Sequence, residues 1–98
     1  ALFNLYNYPN PFSEKTFFTF ILPVIPEELK INIYTIAGRK IKEIKKTPSE
    51  LIIGFNKIEW NSTDEDGDEI ANGTYLYKVI IKSSENSYQV TQKLSRVK

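Results

Sequence analysis

The chain has 98 residues, with 13 basic and 12 acidic side chains, a net charge of +1, and 41% hydrophobic and 13% aromatic content. That suits one globular domain with a single core and little room for a deep catalytic cleft. Cys and His are both absent, which excludes disulfides, thiolate nucleophiles, zinc–thiolate sites and any triad that needs a histidine base; the balanced charge gives no reason to expect nucleic acid, and no apolar run approaches the roughly 20 residues of a membrane-spanning helix.

Met is also absent, even at position 1, so the chain reads as one domain, residues 1–98, excised from a larger protein. Residues 1–8 alternate loosely and read as an edge strand, with Leu5 and Phe3 on one side and Asn4 and Tyr6 on the other. Pro9 and Pro11 then end regular pairing, because proline lacks a donor and fixes φ. Phe12 is expected to tuck beneath the fold as a plug. Thr16 to Leu22 is strongly β-forming, with Phe18, Phe20 and Leu22 on the expected core face and Phe17, Thr19 and Ile21 opposite. Pro23 ends it.

Leu29 to Ile36 turns Leu29, Ile31 and Ile33 inward, and Gly38 supplies the positive φ of a tight turn. In Arg39 to Lys46 the three-residue spacing of Ile41 and Ile44 would also suit a helical turn. Its position two residues past a strand favours a hairpin return, and its lysines fit a defended edge. Thr47 to Gly54 reads as a loop with apolar contact from Leu51 to Ile53. Phe55 to Trp60 is the next strand, with Ile58 and Trp60 inward.

An acidic connection, Asn61 to Gly73, leads into the longest strand, Thr74 to Ser83. There Tyr75, Tyr77, Val79 and Ile81 share a face. A turn at Ser84–Ser87 returns the chain into Tyr88 to Val97, where Tyr88, Val90, Gln92 and Leu94 oppose Gln89, Thr91, Lys93 and Ser95. Strands at intervals of roughly 8–12 residues without an amphipathic helix read as an all-β, immunoglobulin-like antiparallel β-sandwich of about seven strands with no disulfide. Its expected core is Phe18, Phe20, Ile31, Ile33, Trp60, Tyr75, Tyr77 and Val79. Each such side chain contributes about 1.5–3 kcal/mol when fully buried.

Few constellations suggest chemistry. Ser62, Asp64, Asp66 and Gly67 have the spacing of the start of a calcium loop, but the twelfth position is Gly73 where a Glu is needed. Starting instead at Asp64 puts Glu69 where Gly is needed. Asp64, Asp66 and Asp68 therefore remain weak metal candidates beside the plainer reading of an acidic turn whose side chains bond local backbone. The same acids lie in an exposed turn with no apolar pocket to raise a carboxyl pKa, so no catalytic residue and no cofactor is expected. Tyr75 and Tyr77 read as core or cross-strand pairs before sugar-stacking rings. Tyr75 is also placed to bond backbone across a corner. Arg39, Lys40, Lys42, Lys45 and Lys46 read as a solvated edge before an anion-binding surface.

Several segments, in order, resemble one family. Asn7-Tyr8-Pro9-Asn10-Pro11-Phe12 is similar to the opening motif of type IX secretion C-terminal sorting domains. Those domains share an immunoglobulin-like fold with the flagellar hook-capping protein. Ile33-Tyr34-Thr35-Ile36-Ala37-Gly38-Arg39-Lys40-Ile41 is similar to the family's Ile-Tyr-Asp-x-x-Gly-Arg-x-Val, with Thr35 in place of the Asp. Ile58-Glu59-Trp60-Asn61 with Asp66-Gly67, then Ala71-Asn72-Gly73-Thr74-Tyr75-Leu76-Tyr77, then Gln92-Lys93-Leu94 continue the match. Asp66 to Ile70 also resembles the C-terminal module of the system's own sortase.

The resemblance implies a non-catalytic address tag at the end of an exported protein, acting in a Gram-negative-type bacterium. Its parent would pass through the periplasm to the outer-membrane surface or beyond. Partners would be the outer-membrane translocon and the surface sortase, with Gly38, Arg39, Gly73, Lys93 and Leu94 as the expected recognition residues. Gly38 and Gly73 serve equally as turn residues. An exposed terminal strand is also able to pair with a second copy. The alternatives are a structural or spacer module of an extracellular enzyme, adhesin or the sortase itself, and a small carbohydrate- or calcium-binding module.

Overall fold

The computed structural model describes residues 2–98. Seven strands follow in order: β1 (Phe3–Tyr8), β2 (Thr16–Leu22), β3 (Glu28–Thr35), β4 (Lys40–Lys46), β5 (Gly54–Trp60), β6 (Gly73–Lys82) and β7 (Ser87–Arg96). They form a three-stranded sheet, β1-β2-β5, packed on a four-stranded sheet, β4-β3-β6-β7. All five pairings are antiparallel. This is the expected immunoglobulin-like sandwich, with the β4 hairpin return on the sheet of β3, β6 and β7.

Alternation builds the core. β2 buries Phe18, Phe20 and Leu22, β3 buries Leu29, Ile31 and Ile33, and β6 buries Tyr75, Tyr77, Val79 and Ile81. Ile58 and Trp60 close the layer from β5. Phe18 links the sheets, its ring 4.8 Å from Tyr77 and 6.4 Å from Trp60. Phe12 is the expected plug: it is 2% exposed and lies 5.8 Å from Trp60. The peptide bonds before Pro9 and Pro11 are both cis.

Three expectations change. Phe3 does not share the buried side with Leu5; it is 55% exposed, because the register shifts between Phe3 and Tyr6 and Asn4 takes φ 54°. A bulge of this kind reverses which face a residue meets. In the loop before β5 only Leu51 is buried, while Ile52 and Ile53 are exposed. A single 3-10 turn, Pro48–Glu50, directs that loop, and the Thr47 N–H donates to Glu50 Oε1 at 2.9 Å. Tyr88 keeps the expected alternation, opposite Ile81, and is exposed because it sits at the outermost start of β7. The preceding turn is Ser83–Asn86, closed by the Ser83 N–H to Asn86 O at 2.9 Å. The first residue of the expected edge strand, Ala1, lies outside the described residues.

The topology gives the sandwich two distinct ends. One carries residues 9–15, the turn at 36–39, the acidic loop 61–72 and the close of β7. The other carries the start of β1, the connections 23–27 and 47–53, and the turn 83–86. Hereafter these are the motif end and the hairpin end.

Candidate recognition site

At the motif end, segments far apart in sequence converge on the close of β7. The Phe12 N–H donates to Ser95 O at 3.0 Å, and the Val97 N–H donates to Phe12 O at 2.9 Å. Asn10 completes the cap: its Oδ1 accepts from the Ser95 N–H at 3.0 Å, and its Nδ2 lies 3.5 Å from Lys93 O. The proline segment thus covers the outer edge of β7 from Lys93 to Val97, which would otherwise present unpaired backbone groups. A further clasp joins Asn72 to Lys98, whose N–H donates to Asn72 Oδ1 at 3.0 Å.

Arg96 is the centre of this end and is 2% exposed. Its Nε donates to Ser13 O at 2.8 Å, its Nη1 to Ile70 O, and its Nη2 to Glu69 Oε2 at 2.7 Å. A buried guanidinium needs such partners, since desolvation without them is costly. Lys98 Nζ also reaches Glu69 Oε2, at 2.9 Å. Hydrogen bonds from Lys98 and Arg96 hold the Glu69 carboxyl well below the usual carboxylate range, at about 2.

The acidic loop is locked from within. Asp64 Oδ1 accepts the N–H groups of Asp66 at 3.0 Å and Asp68 at 2.9 Å. The side chains of Asp64, Asp66 and Asp68 come within 4.8 Å of one another, but one Asp64 oxygen serves as an acceptor for the turn itself. Trp60 Nε1 donates to Thr63 O at 2.9 Å, and the buried Ser62 hydroxyl to Glu14 O at 2.6 Å. Tyr75 makes the expected corner bond, its hydroxyl donating to Ala71 O at 2.7 Å. Tyr77 donates to Gln92 Oε1 at 3.0 Å, and burial raises its hydroxyl pKa.

The register gathers all five expected recognition residues at this end. Thr35 stands opposite Tyr75, and Tyr75 opposite Leu94, so the Gly38–Arg39 turn, Gly73 and the Lys93–Leu94 pair occupy neighbouring strand ends. Their roles differ. Gly38 takes φ 96° and Gly73 φ 146°, conformations that side-chain-bearing residues avoid. Arg39 and Lys93 are exposed, whereas Leu94 is 1% exposed and its side chain belongs to the core. Its backbone faces β6, alternating with the outward groups of Ser95, so Leu94 offers a partner neither side chain nor free backbone. A groove of about 330 Å³ lies between the turn and the loop, lined by Thr35, Arg39, Ile41, Glu69, Ile70 and Tyr75 among others.

Asn10, Asn72 and Arg96 were not expected as site residues. Arg96 carried a signal, because it shares sequence parity with Val90, Gln92 and Leu94 and so points inward. The roles of the two asparagines depend on register between segments distant in sequence, which local pattern does not contain.

Comparison with known proteins places these features. The family model for the secretion system C-terminal sorting domain matches residues 7–95. The crystal structure of dimeric latent PorU from Porphyromonas gingivalis is similar over 95% of this chain and 9% of its own, with 26% identity and a TM-score of 0.78. FlgD from P. aeruginosa is similar over 84% of this chain and 62% of its own, with 20% identity and a TM-score of 0.69. PorZ, described as an essential surface component of the type IX secretion system of P. gingivalis, is similar over 97% of this chain and 12% of its own, with 17% identity and a TM-score of 0.60. The last two likenesses concern the fold. The search of curated proteins returned no match.

Proposed function

The chain belongs to the secretion system C-terminal sorting domain family, a class of type IX secretion signals, and from that premise we propose that it is a non-catalytic address tag. It would close a longer parent protein and direct that parent across the outer membrane to the cell surface, where translocon and sortase components read it. One observation carries this reading: the family-like motifs at residues 7–12, 33–41 and 71–77 share one end of the sandwich, where residues 7–12 and 71–77 grip the final strand and the residue after it.

The grip suggests how the tag is read. Ser95 turns its N–H and C=O away from β6, toward Asn10 and Phe12. By the two-residue period of a strand, Thr91 and Gln89 face outward too. Residues 87–92 carry no charge, in contrast to the lysine-rich β4 edge. An extended segment of a partner could add there as a further strand, with the Arg39 turn and Lys93 giving polar specificity.

The test fuses residues 1–98 to a periplasmic reporter in a host with a working type IX system. Surface or medium delivery is expected, and a reporter that stays periplasmic would sink the proposal. A second reading, a structural module inside a surface component, is favoured by the likeness to PorZ and by the small share of the PorU and PorZ chains that this fold occupies. It gives the periplasmic outcome in the same assay.

A further inference from the structure

The tripeptide Asn-x-Ser/Thr occurs twice in the chain, as Asn61-Ser62-Thr63 and Asn72-Gly73-Thr74. In an exported protein this is the acceptor pattern for N-linked sugar, which needs an asparagine at the surface. So short a pattern also arises by coincidence, and the surroundings of each asparagine decide. The two stand at opposite limits of the acidic loop, and the structure treats them differently.

Asn72 is already engaged at both amide atoms. Its Oδ1 accepts the Lys98 N–H at 3.0 Å, and its Nδ2 lies 3.4 Å from Lys98 O. Thr74 belongs to β6, where its hydroxyl lies 3.4 Å from the Ser95 hydroxyl. A sugar on Asn72 Nδ2 would crowd the clasp on the end of the chain.

Asn61 is exposed and follows the last residue of β5. The Thr63 hydroxyl donates to its Oδ1 at 2.7 Å, while its Nδ2 bonds no group among the described residues. The backbone beneath is fixed. Ser62 is buried, takes φ 68° and donates to Glu14 O at 2.6 Å, and Thr63 O accepts from Trp60 Nε1 at 2.9 Å. The amide oxygen is therefore held and the amide nitrogen is the free end.

We infer that Asn61 is an acceptor for N-linked sugar and that Asn72 is not. The donor class is an oligosaccharide carried on a polyprenyl diphosphate, handed over by a transferase outside the cytoplasm. Asn61 Nδ2 forms a bond to the anomeric carbon of the first sugar as the bond from that carbon to the diphosphate oxygen breaks. The diphosphate leaves with the electron pair, and one Nδ2 proton passes to a base of the transferase. No oxidant or reductant is needed. The inference rests on the reading of the chain as an exported domain.

Peptide mapping by mass spectrometry, on the parent protein recovered from its own cells, tests the inference. Cleavage before Asp64 puts Asn61 and Asn72 on separate peptides. The Asn61 peptide is expected to carry a sugar mass that Asn61→Gln and Thr63→Ala abolish and Thr63→Ser keeps, while the Asn72 peptide stays bare. A bare Asn61 peptide overturns the inference, as does sugar on Asn72, or fragmentation that places the sugar on the Thr63 hydroxyl. Reporter export reads the sorting role separately. Surface delivery with a bare Asn61 removes this inference alone. A reporter that stays periplasmic, beside a parent with sugar on Asn61, removes the sorting reading alone.

Discussion

At the motif end, β7 is held on every side: Phe12 and Asn10 along its edge, Tyr75 and Leu76 across from Leu94 and Lys93, Arg96 anchored to Ser13 and to the Glu69–Ile70 segment, and Asn72 on residue 98. At the hairpin end, the same strand begins exposed from Ser87 to Gln89, tied by its pairing to β6 and a tight turn. Strand pairing alone therefore does not distinguish the ends. The difference lies in side chains that bring distant segments to one place, and these come largely from the stretches that carry the family resemblance. The motif end is defined by side chains from distant segments, whereas the start of β7 at the hairpin end is held by its pairing to β6 and the 83–86 turn.

The largest effect that separates the ends is expected at Arg96. Arg96→Ala leaves Ile70 O and Ser13 O without their buried donor and should cost about 3–5 kcal/mol, the range for breaking a buried charged cluster. Tyr88→Ala, at the other end of the same strand, should cost no more than about 1 kcal/mol. Urea denaturation at pH 7 measures both, and equal losses would break the comparison. Next comes Tyr75→Phe, which removes only the hydroxyl that bonds Ala71 O. A loss of about 0.5–1.5 kcal/mol is expected by the same method.

Acid sharpens the comparison through Glu69. Its carboxyl is depressed from 4.5 to about 2 by hydrogen bonds from Lys98 and Arg96. A depressed acid stabilises the fold above its unfolded value, and that contribution fades as pH falls from about 4.5 toward 2. The wild-type melting temperature should therefore fall more steeply over that window than that of Glu69→Gln. Parallel curves would remove Glu69 from the clasp. The smallest effect belongs to the hairpin end, where Glu85→Ala in the 83–86 turn should stay within about 0.5 kcal/mol of wild type.

The fold was open to reading because alternation and punctuation agreed. Phe18, Phe20 and Leu22 between Ser13 and Pro23, or Tyr75, Tyr77, Val79 and Ile81 after Gly73, leave one inward face and clear limits. Gly38, Gly73 and the Tyr75 corner were legible because each has a local backbone reason. Phe3 misled because a bulge at Asn4 changes its face, and one residue of slip is invisible in composition. Arg96 was passed over because charged residues are seldom fully buried. Its burial depends on Ser13, Glu69 and Ile70, which only the tertiary register brings near. The placement of Leu94 shows the same limit: its resemblance to a motif was readable, while its position inside the core depends on pairing with Tyr75.

Export itself tests the claim that the motif end is the part that is read. A reporter carrying residues 1–98 with Arg39→Ala and Lys93→Glu, two exposed changes expected to leave the melting temperature unchanged, is compared with one carrying Lys45→Glu and Glu85→Ala toward the hairpin end. Loss of surface delivery for the first pair with normal delivery for the second is the expected result. Equal delivery of the two folded fusions would contradict the account.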